Sequence, residues 1–241
     1  MPLTVGLHPV REALRAGRPL DKVVIAKGAA GPRVQEIVDL CRTRAIPVRF
    51  EPRDALDRVA KGTAHQGVIA FGAAHEYVEL DTVLPTANLV VVLDGIEDPH
   101  NLGAIVRTAN AAGASAVVVP ERRSAPLTET VARSAAGALE YVPVARVTNI
   151  SRALETMKTS GFWIYGLDER GSDAYDSVTF STPTAIVLGA EGRGLHEHVK
   201  KHCDFILRIP MSGAVSSLNV SVAAGIVLFE WRRRANGTAS S

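Results

Sequence analysis

The segment Leu89–Leu93 contains five consecutive apolar residues, and it constrains the fold of this chain more than any other feature. A short run of this kind is typical of a strand covered on both faces, because an exposed face would require alternating polar residues. Further strands are predicted at 116–119, 141–145, 162–167 and 185–188, and helices at 101–112, 128–138 and 150–159. Strands that alternate with helices predict an α/β fold with a mainly parallel sheet and helices on both faces.

A smaller α/β unit precedes this sheet along the chain. Its predicted elements are helices at 8–16, 32–41 and 54–60 and strands at 22–26, 46–50 and 67–71. A stretch of about 70 residues can form an independent domain, so we place the first domain at 1–73. Residues 74–86 show no clear period and are predicted to be a linker. The second domain then covers 87–234, and 235–241 form a tail that is predicted to be disordered.

Charge and cysteine content indicate which partners and which cellular compartment to expect. Residues 1–76 hold 12 Lys and Arg against 8 Asp and Glu, a surplus that indicates either contact with a polyanion or a solvated surface. Cys41 and Cys203 have no spacing that would indicate a disulfide framework or a metal site. The chain has neither a secretory signal pattern nor an apolar run of about 18 residues that could cross a membrane. We therefore expect a cytoplasmic protein with no metal and no membrane association.

Three polar stretches follow predicted strands of the second domain, which is where open α/β sheets bind ligands. The first runs from Asp94 to Arg107 and leads into a helix of small and apolar residues. Asp98, Asn101 or both could cap this helix. Arg107 needs a partner in such surroundings, and either an ion pair or a functional role would explain it.

The second stretch, Val187–Leu195, is a glycine loop with the order Gly-x-x-Gly-x-Gly. This order matches neither the dinucleotide fingerprint nor a Walker loop, which excludes a dinucleotide oxidoreductase. Glu191 lies at the centre of the loop and would repel a phosphate. The loop therefore suits a cationic or hydroxyl-bearing ligand, unless it is only a tight turn.

The third stretch, Ile209–Trp231, is a loop of small residues followed by a helix that is predicted to begin at Ser217. The apolar residues of one helical face are Leu218, Val222, Ile226 and Phe229. Ser217, Asn219 and Ser221 bring polar groups to the helix start, where four backbone N–H groups lack partners. These groups could cap the helix, hold a polar ligand, or do both.

Together the three stretches resemble the motifs of the SpoU (TrmH-like) family of RNA ribose 2'-O-methyltransferases, within the SPOUT superfamily. The matching patterns are Asn-x-Gly-x-x-x-Arg from Asn101, Gly-Ala-Glu-Gly-x-Gly from Gly189 and Ile-Pro-Met-x-Gly-x-x-x-Ser-Leu-Asn-x-Ser from Ile209. Residues 6–14 and 64–70 are similar to the L30e-like substrate-binding domain of the ribosomal RNA members. The likeness is strongest to RlmB-type enzymes, which modify a guanosine in the peptidyl-transferase region of large-subunit rRNA.

The resemblance implies a fold, a cofactor and partners. The second domain would carry a C-terminal trefoil knot that holds S-adenosylmethionine largely through backbone groups. The protein would be a homodimer packed through the knotted domain, and large-subunit rRNA would contact both domains. The implied cofactor-binding residues are Leu188, Gly189, Ile209, Met211 and Leu218. The implied catalytic residues are Asn101, Arg107, Glu191, Ser217 and Asn219.

The chemistry of such a site concerns the nucleophile. A ribose hydroxyl is weak until its proton is removed, so the protein must position it and promote that removal. The family assigns the arginine at position 107 as a base or a polariser, but a guanidinium stays protonated. We therefore interpret Arg107 as orienting the hydroxyl and stabilising the developing alkoxide. A phosphate oxygen or a water molecule could accept the proton, and Glu191 could hold Arg107 or Asn101 in place.

Two other functions stay open at this point. A ribose methyltransferase acting on tRNA, or on an adenosine of rRNA, would have the same motifs, although a full N-terminal domain favours rRNA over tRNA. An RNA-binding ribosome assembly factor without catalysis would keep the fold, but the intact Asn101, Arg107 and Glu191 favour an enzyme. The sequence alone does not identify the modified nucleotide.

Overall fold

The chain contains two separate β-sheets. The computed structural model describes residues 3–72, 75–213 and 217–237. Residues 214–216 of the predicted cofactor loop and 238–241 of the predicted tail lie outside this range. A four-stranded sheet forms within residues 3–72, and a seven-stranded sheet forms after residue 88.

The first sheet has the strand order β1-β4-β2-β3. Its elements are β1 (Leu3–Val5), α1 (Leu7–Ala16), β2 (Leu20–Ala26), α2 (Pro32–Thr43), β3 (Val48–Glu51), α3 (Arg53–Ala60) and β4 (Val68–Gly72). Helices α1 and α2 pack on one face of the sheet, and α3 packs on the other. Strand β1 was not predicted because three residues are too few to show a period. It forms because β4 offers it an antiparallel partner.

The second sheet has the strand order β7-β6-β5-β10-β8-β11-β9, and each of its described strand pairs is parallel. Its elements are α4 (Leu80–Val83), β5 (Leu89–Asp94), α5 (Pro99–Ala112), β6 (Ala116–Pro120), α6 (Glu129–Ala135), β7 (Val144–Val147), α7 (Ile150–Thr159), β8 (Trp163–Leu167), β9 (Asp173–Ala174), β10 (Thr184–Gly189), α8 (Glu197–Lys200), β11 (Phe205–Arg208) and α9 (Val220–Gly237). The predicted mainly parallel α/β sheet is therefore confirmed.

Helices cover both faces of this sheet. Helices α5, α6 and α9 contribute to one apolar core, and α4, α7 and α8 contribute to the other. Strand β5 is buried along its whole length, as its continuous apolar run predicts. Trp231 Nε1 on α9 donates a buried hydrogen bond of 2.8 Å to Thr184 Oγ1 on β10, which holds this helix against the sheet. None of the described helices is both long and apolar enough to span a membrane.

Four segments differ from the sequence predictions. The helix predicted at 128–138 ends at Ala135, because Ala136 and Gly137 adopt left-handed backbone with φ of 50° and 92°. The following strand therefore forms at Val144–Val147 and not at 141–145. Within the predicted linker, Leu80 and Leu84 are buried in the second domain. Helix α9 continues through Gly237, beyond the predicted domain end at residue 234.

Partly buried polar contacts join the two domains. Arg18 Nη1 lies 2.9 Å from Glu140 Oε1 and 2.6 Å from His75 Nε2. Tyr141 Oη donates a hydrogen bond of 2.7 Å to Glu12 Oε2. Burial, together with the nearby Arg18 guanidinium, lowers the pKa of His75 to about 4. His75 is therefore neutral in the folded protein near pH 7, and its Nε2 accepts from Arg18.

Lowering the pH from 7 to 5 should reduce the free energy of unfolding, in part through His75. Its pKa falls from 6.5 to about 4 on folding, so the unfolded chain takes up the proton first as the pH drops. The stability that depends on this group is present above pH 6.5, is reduced by about 1–2 kcal/mol at pH 5, and falls no further below pH 4. Urea unfolding of the wild type and of His75→Gln at both pH values measures the effect. We expect a smaller loss in the variant, and an equal loss would contradict this assignment.

Candidate active site

A cleft of about 650 Å³ opens at the carboxyl ends of β8, β10 and β11. Ligands bind at this edge in open α/β sheets. The five predicted cofactor residues, Leu188, Gly189, Ile209, Met211 and Leu218, all line it, as do Glu191 and Ser217. The second and third sequence stretches therefore meet around one cavity.

The glycine loop forms one wall of the cleft through close backbone packing. A Cβ atom on Gly189 would lie 2.2 Å from the carbonyl carbon of Gly194, and one on Gly194 would lie 2.5 Å from Asp168 Oδ2. Gly194 also adopts a left-handed backbone with φ of 64°, and its N–H donates to the carbonyl of Ala190 at 2.9 Å. The loop is therefore both a tight turn and part of the cavity wall, so these two interpretations do not exclude each other.

Asp168 is a site residue that the sequence analysis missed. It is 5% exposed, and its carboxylate accepts hydrogen bonds from the backbone N–H groups of Arg170 and Leu195. Lys200 Nζ lies 3.0 Å from Asp168 Oδ2. Burial opposes ionisation, but these hydrogen bonds and the Lys200 charge outweigh it and lower the pKa of Asp168. Its position directly after the predicted strand 162–167 was the available signal.

The start of α9 brings residues from all three stretches together. Asn219 caps the helix, because its Oδ1 accepts from Ser221 N at 2.9 Å. Asn219 Nδ2 donates to Oδ1 of the buried Asn101 at 3.0 Å. Glu191 Oε1 accepts from Val220 N at 3.1 Å, so it satisfies a second N–H group at the helix start. Each of the three sequence stretches is thereby connected to the start of α9.

Several expectations about this helix and its neighbours need correction. The helix begins at Val220 and not at Ser217, which precedes it and lines the cleft. Among the described residues, Glu191 makes its hydrogen bond to Val220 N and none to Arg107 or Asn101, so the predicted support of those side chains is not observed. Asp98, and not Asn101, caps α5 through His100 N.

Arg107 lies outside the cleft of its own chain. It is an exposed residue in the middle of α5, and its side chain makes no hydrogen bond or ion pair within the described part of the chain. The ion pair that would have explained its position is therefore absent from residues 3–72, 75–213 and 217–237. Arg107 presents its guanidinium to the surface, where it is free to bind something else.

The fold and the cleft define an α/β protein that holds a small ligand at the carboxyl edge of a parallel sheet. Two family models match the chain: the SpoU rRNA Methylase family over residues 88–229, and RNA 2'-O ribose methyltransferase substrate binding over residues 3–78. The chain belongs to the SpoU rRNA Methylase family.

Similar proteins agree with this assignment. The YacO protein of Bacillus subtilis, assigned to the TrmH family of tRNA/rRNA methyltransferases, is 42% identical over 96% of this chain and 95% of its own. An AdoMet-bound rRNA methyltransferase from Sinorhizobium meliloti superposes with a TM-score of 0.81 at 28% identity, covering 96% of this chain and 86% of that one. The SpoU methyltransferase AviRb from Streptomyces viridochromogenes, in complex with the cofactor AdoMet, superposes with a TM-score of 0.80 at 27% identity and covers 98% and 90%.

Proposed function

We propose that this protein transfers a methyl group from S-adenosylmethionine to the ribose 2'-hydroxyl of a guanosine in large-subunit rRNA. The observation that carries the proposal is the junction at the start of α9 beside the cleft, where Asn219 bonds Asn101 and Glu191 bonds the N–H of Val220. The family match makes the chain an RNA methyltransferase, and the substrate-binding match over residues 3–78 supports the ribose as the acceptor.

The cleft fits the proposed cofactor. It opens at the carboxyl edge of the parallel sheet, where α/β proteins of this kind bind their ligands. Apolar side chains, including Leu188, Ile209 and Leu218, suit the adenine ring and the aliphatic part of the methionine. The backbone of the glycine loop offers hydrogen-bonding groups, and Glu191 and Glu169 add negative charge next to a ligand that carries a sulfonium. Met211 completes the set that we expect to hold the cofactor.

When bound, S-adenosylmethionine supplies an electrophilic methyl group on a positively charged sulfur. The protein must then orient the ribose hydroxyl and favour loss of its proton. We assign the first role to Arg107, whose planar donors can bind the hydroxyl oxygen and a neighbouring phosphate and stabilise negative charge. Asn101 and Asn219 form a rigid amide pair, and Ser217 offers a hydroxyl in the cleft. Because Glu191 accepts from Val220 N, we assign it to holding the helix start in place and not to proton removal.

A homodimer would bring Arg107 to a second cleft. On α9, Val222 and Phe229 are 51% and 50% exposed although both are large and apolar, whereas Val227, Leu228 and Trp231 of the same helix are buried. The stripe predicted from Leu218, Val222, Ile226 and Phe229 is thus only partly used by the core of one chain. Helix α5, which carries Arg107, packs beside α9. We propose that this face binds a second copy, which places Arg107 at the partner's site.

Phe229→Glu should convert the dimer to a monomer and abolish most methyl transfer, because it introduces a charge into the proposed apolar contact. Val59→Glu is the matched control, since Val59 is 41% exposed on α3 of the first domain. Sedimentation equilibrium measures the assembly state. A variant at Phe229 that stays dimeric, or a wild type that is monomeric at micromolar concentration, would contradict the proposed interface.

The same proposal includes a threaded C-terminal segment and an L30e-like first domain. The family resemblance implies both features. The trefoil knot is supported by the way the glycine loop after β10 and the residues after β11, among them Ile209 and Met211, border one cleft. The separate four-stranded sheet within residues 3–72 supports a distinct RNA-binding unit.

Asn219 should have two separable roles. Asn219→Ala removes the cap and the bond to Asn101, so it should lower the free energy of unfolding by about 1 kcal/mol and also slow methyl transfer. Asn219→Asp keeps an oxygen for Ser221 N but places a carboxylate against Asn101 Oδ1. We expect the Asp variant to be close to the wild type in stability and still impaired in methyl transfer. If the Asp variant retains full activity, the Asn101–Asn219 pair has only a structural role.

The substrate is tested by mapping ribose methylation in cells with and without this gene. We expect one 2'-O-methylguanosine of large-subunit rRNA to disappear when the gene is deleted. The loss of a tRNA site with all rRNA sites intact would replace this substrate by tRNA. If a methylated adenosine of rRNA is lost instead, rRNA remains the substrate, but the modified nucleotide is an adenosine and not a guanosine.

A further inference from the structure

A second cleft, of about 540 Å³, lies at the same edge of the seven-stranded sheet as the cofactor cleft. It is found at the carboxyl ends of β5, β6 and β7, and its polar lining includes Asp94, Arg122, Arg123, Asn149, His196 and His198. Gly95 stands between the two clefts. A Cβ atom at Gly95 would lie 3.6 Å both from Ala190 Cβ, which lines the cofactor cleft, and from His196 Cε1.

The available charge in this second cleft is positive. Asp94 is only 6% exposed, and its Oδ2 accepts from both the backbone N and the Nδ1 of His196, each at 2.9 Å. The Asp94 carboxylate therefore faces the protein interior and already accepts hydrogen bonds from His196. Arg122 is exposed and makes no hydrogen bond or ion pair within the described ranges. Its guanidinium is therefore available to an anion.

The orientation of Arg123 is set by a chain of contacts that begins at Asp94. His196 Nδ1 lies 2.9 Å from Asp94 Oδ2, and its Nε2 lies 3.4 Å from Arg123 Nη1, so the ring bridges the carboxylate and the guanidinium. Arg123 also holds a left-handed backbone with φ of 60°, which is unfavourable for a residue with a Cβ atom. Such conformations persist where the surroundings impose them, and they concentrate at functional sites.

The start of α7 adds to the positive character of the cleft. This ten-residue helix is capped by Asn149, whose side chain accepts from Arg152 N at 3.0 Å. Its N-terminus, with a positive helix dipole, is directed at the cleft that Asn149 and Ile150 line. Two guanidiniums and a helix N-terminus thus converge beside a cavity that adjoins the cofactor cleft.

We propose that this second cleft binds a backbone phosphate of the substrate RNA and so sets the position of the RNA strand along the sheet edge. The inference rests on the proposed function, because the phosphate would belong to the RNA whose ribose enters the cofactor cleft at the same sheet edge. Planar guanidiniums match the oxygen geometry of a phosphodiester. Contacts to phosphates fix the register of a nucleic acid without reading its sequence. Arg122 and Arg123 are therefore positioning residues.

The test uses the full chain and a transcript of the peptidyl-transferase region of large-subunit rRNA. Arg122→Gln and Arg123→Gln should each weaken RNA binding by about fivefold near 0.1 M salt, and each should reduce the slope of log Kd against log salt by about 0.7 to 1. Lys201→Gln is the matched control, because it removes one exposed positive charge from the same domain outside the cleft. Affinity for S-adenosylmethionine should be the same in all four proteins.

The outcomes separate this proposal from the proposed function. If the wild type methylates the transcript while both arginine variants match Lys201→Gln in RNA affinity and salt slope, the phosphate site is refuted and the function stands. If the wild type methylates no RNA, the proposed function fails first. The affinity of the wild type and of both arginine variants for inorganic phosphate and pyrophosphate is measured as well. Millimolar or tighter binding that depends on Arg122, with no effect of either variant on RNA, would assign the cleft to a free anion and overturn the proposal.

Discussion

Arg107→Ala should reduce the rate of methyl transfer to RNA by about 100-fold or more, which is the usual effect of removing a donor that stabilises developing negative charge. The structure gives this residue no structural role that would confuse the result. It is exposed, and its side chain has no hydrogen bond or ion pair among residues 3–72, 75–213 and 217–237. Its loss should therefore leave the free energy of unfolding within about 0.5 kcal/mol of the wild type.

The comparison with Arg107→Lys makes this test specific. Lysine keeps the positive charge but loses the planar set of donors, so we expect only partial recovery of the rate. Single-turnover rates with saturating cofactor and RNA measure the chemical step, and calorimetry measures the affinity for S-adenosylmethionine. If the alanine variant transfers methyl groups near the wild-type rate, Arg107 does not orient the ribose hydroxyl and our assignment is wrong.

Gly189→Ala should cause the largest loss of cofactor binding of any single methyl group added to the cleft. The new Cβ atom would lie 2.2 Å from the carbonyl carbon of Gly194 and 2.5 Å from Leu195 N, so the backbone would have to move. Leu195 N donates to Asp168, and a shift there would disturb a buried carboxylate as well. We expect the free energy of unfolding to fall by about 1–3 kcal/mol. We also expect affinity for S-adenosylmethionine to fall by more than about tenfold, which corresponds to 1.4 kcal/mol.

Gly161→Ala is the control for the glycine variant. Gly161 lies in the same domain, has φ of 87° and has no atom within 4 Å of a built Cβ. Its replacement should cost about 1 kcal/mol through the left-handed backbone alone and leave cofactor affinity unchanged. Equal effects of the two variants on cofactor affinity would mean that the close packing of Gly189 on Gly194 does not shape the cleft.

The parts of the fold that the sequence predicts are those with a strong local signal. The continuous apolar run of β5 and the helix at 150–159 are examples, and both occur with almost the predicted bounds. Strand β1 has only three residues and forms because β4 offers a partner, which is a tertiary effect. The early end of α6 depends on left-handed backbone at Ala136. Alanine rarely adopts this conformation, so the sequence does not predict it.

In the candidate site, too, local sequence signals are predictable and contacts between distant residues are not. Glycine spacing and polar residues after strands single out Gly189, Asn101 and Asn219 as candidates, because those features are local in the sequence. The bond from Val220 N to Glu191 spans 29 residues, and the bond from Asn219 to Asn101 spans 118. No local pattern specifies which loops meet over such separations. Asp168 was missed because a single aspartate after a strand resembles an ordinary loop residue.

The most direct test of the account is the chemical identity of the methylated product. The purified protein is incubated with labelled S-adenosylmethionine and the large-subunit rRNA transcript, and the RNA is then digested to nucleosides. We predict label in 2'-O-methylguanosine, and none when the target nucleotide carries a 2'-deoxyribose. Label on a base, or transfer that persists on the deoxyribose substrate, would contradict ribose methylation by this site.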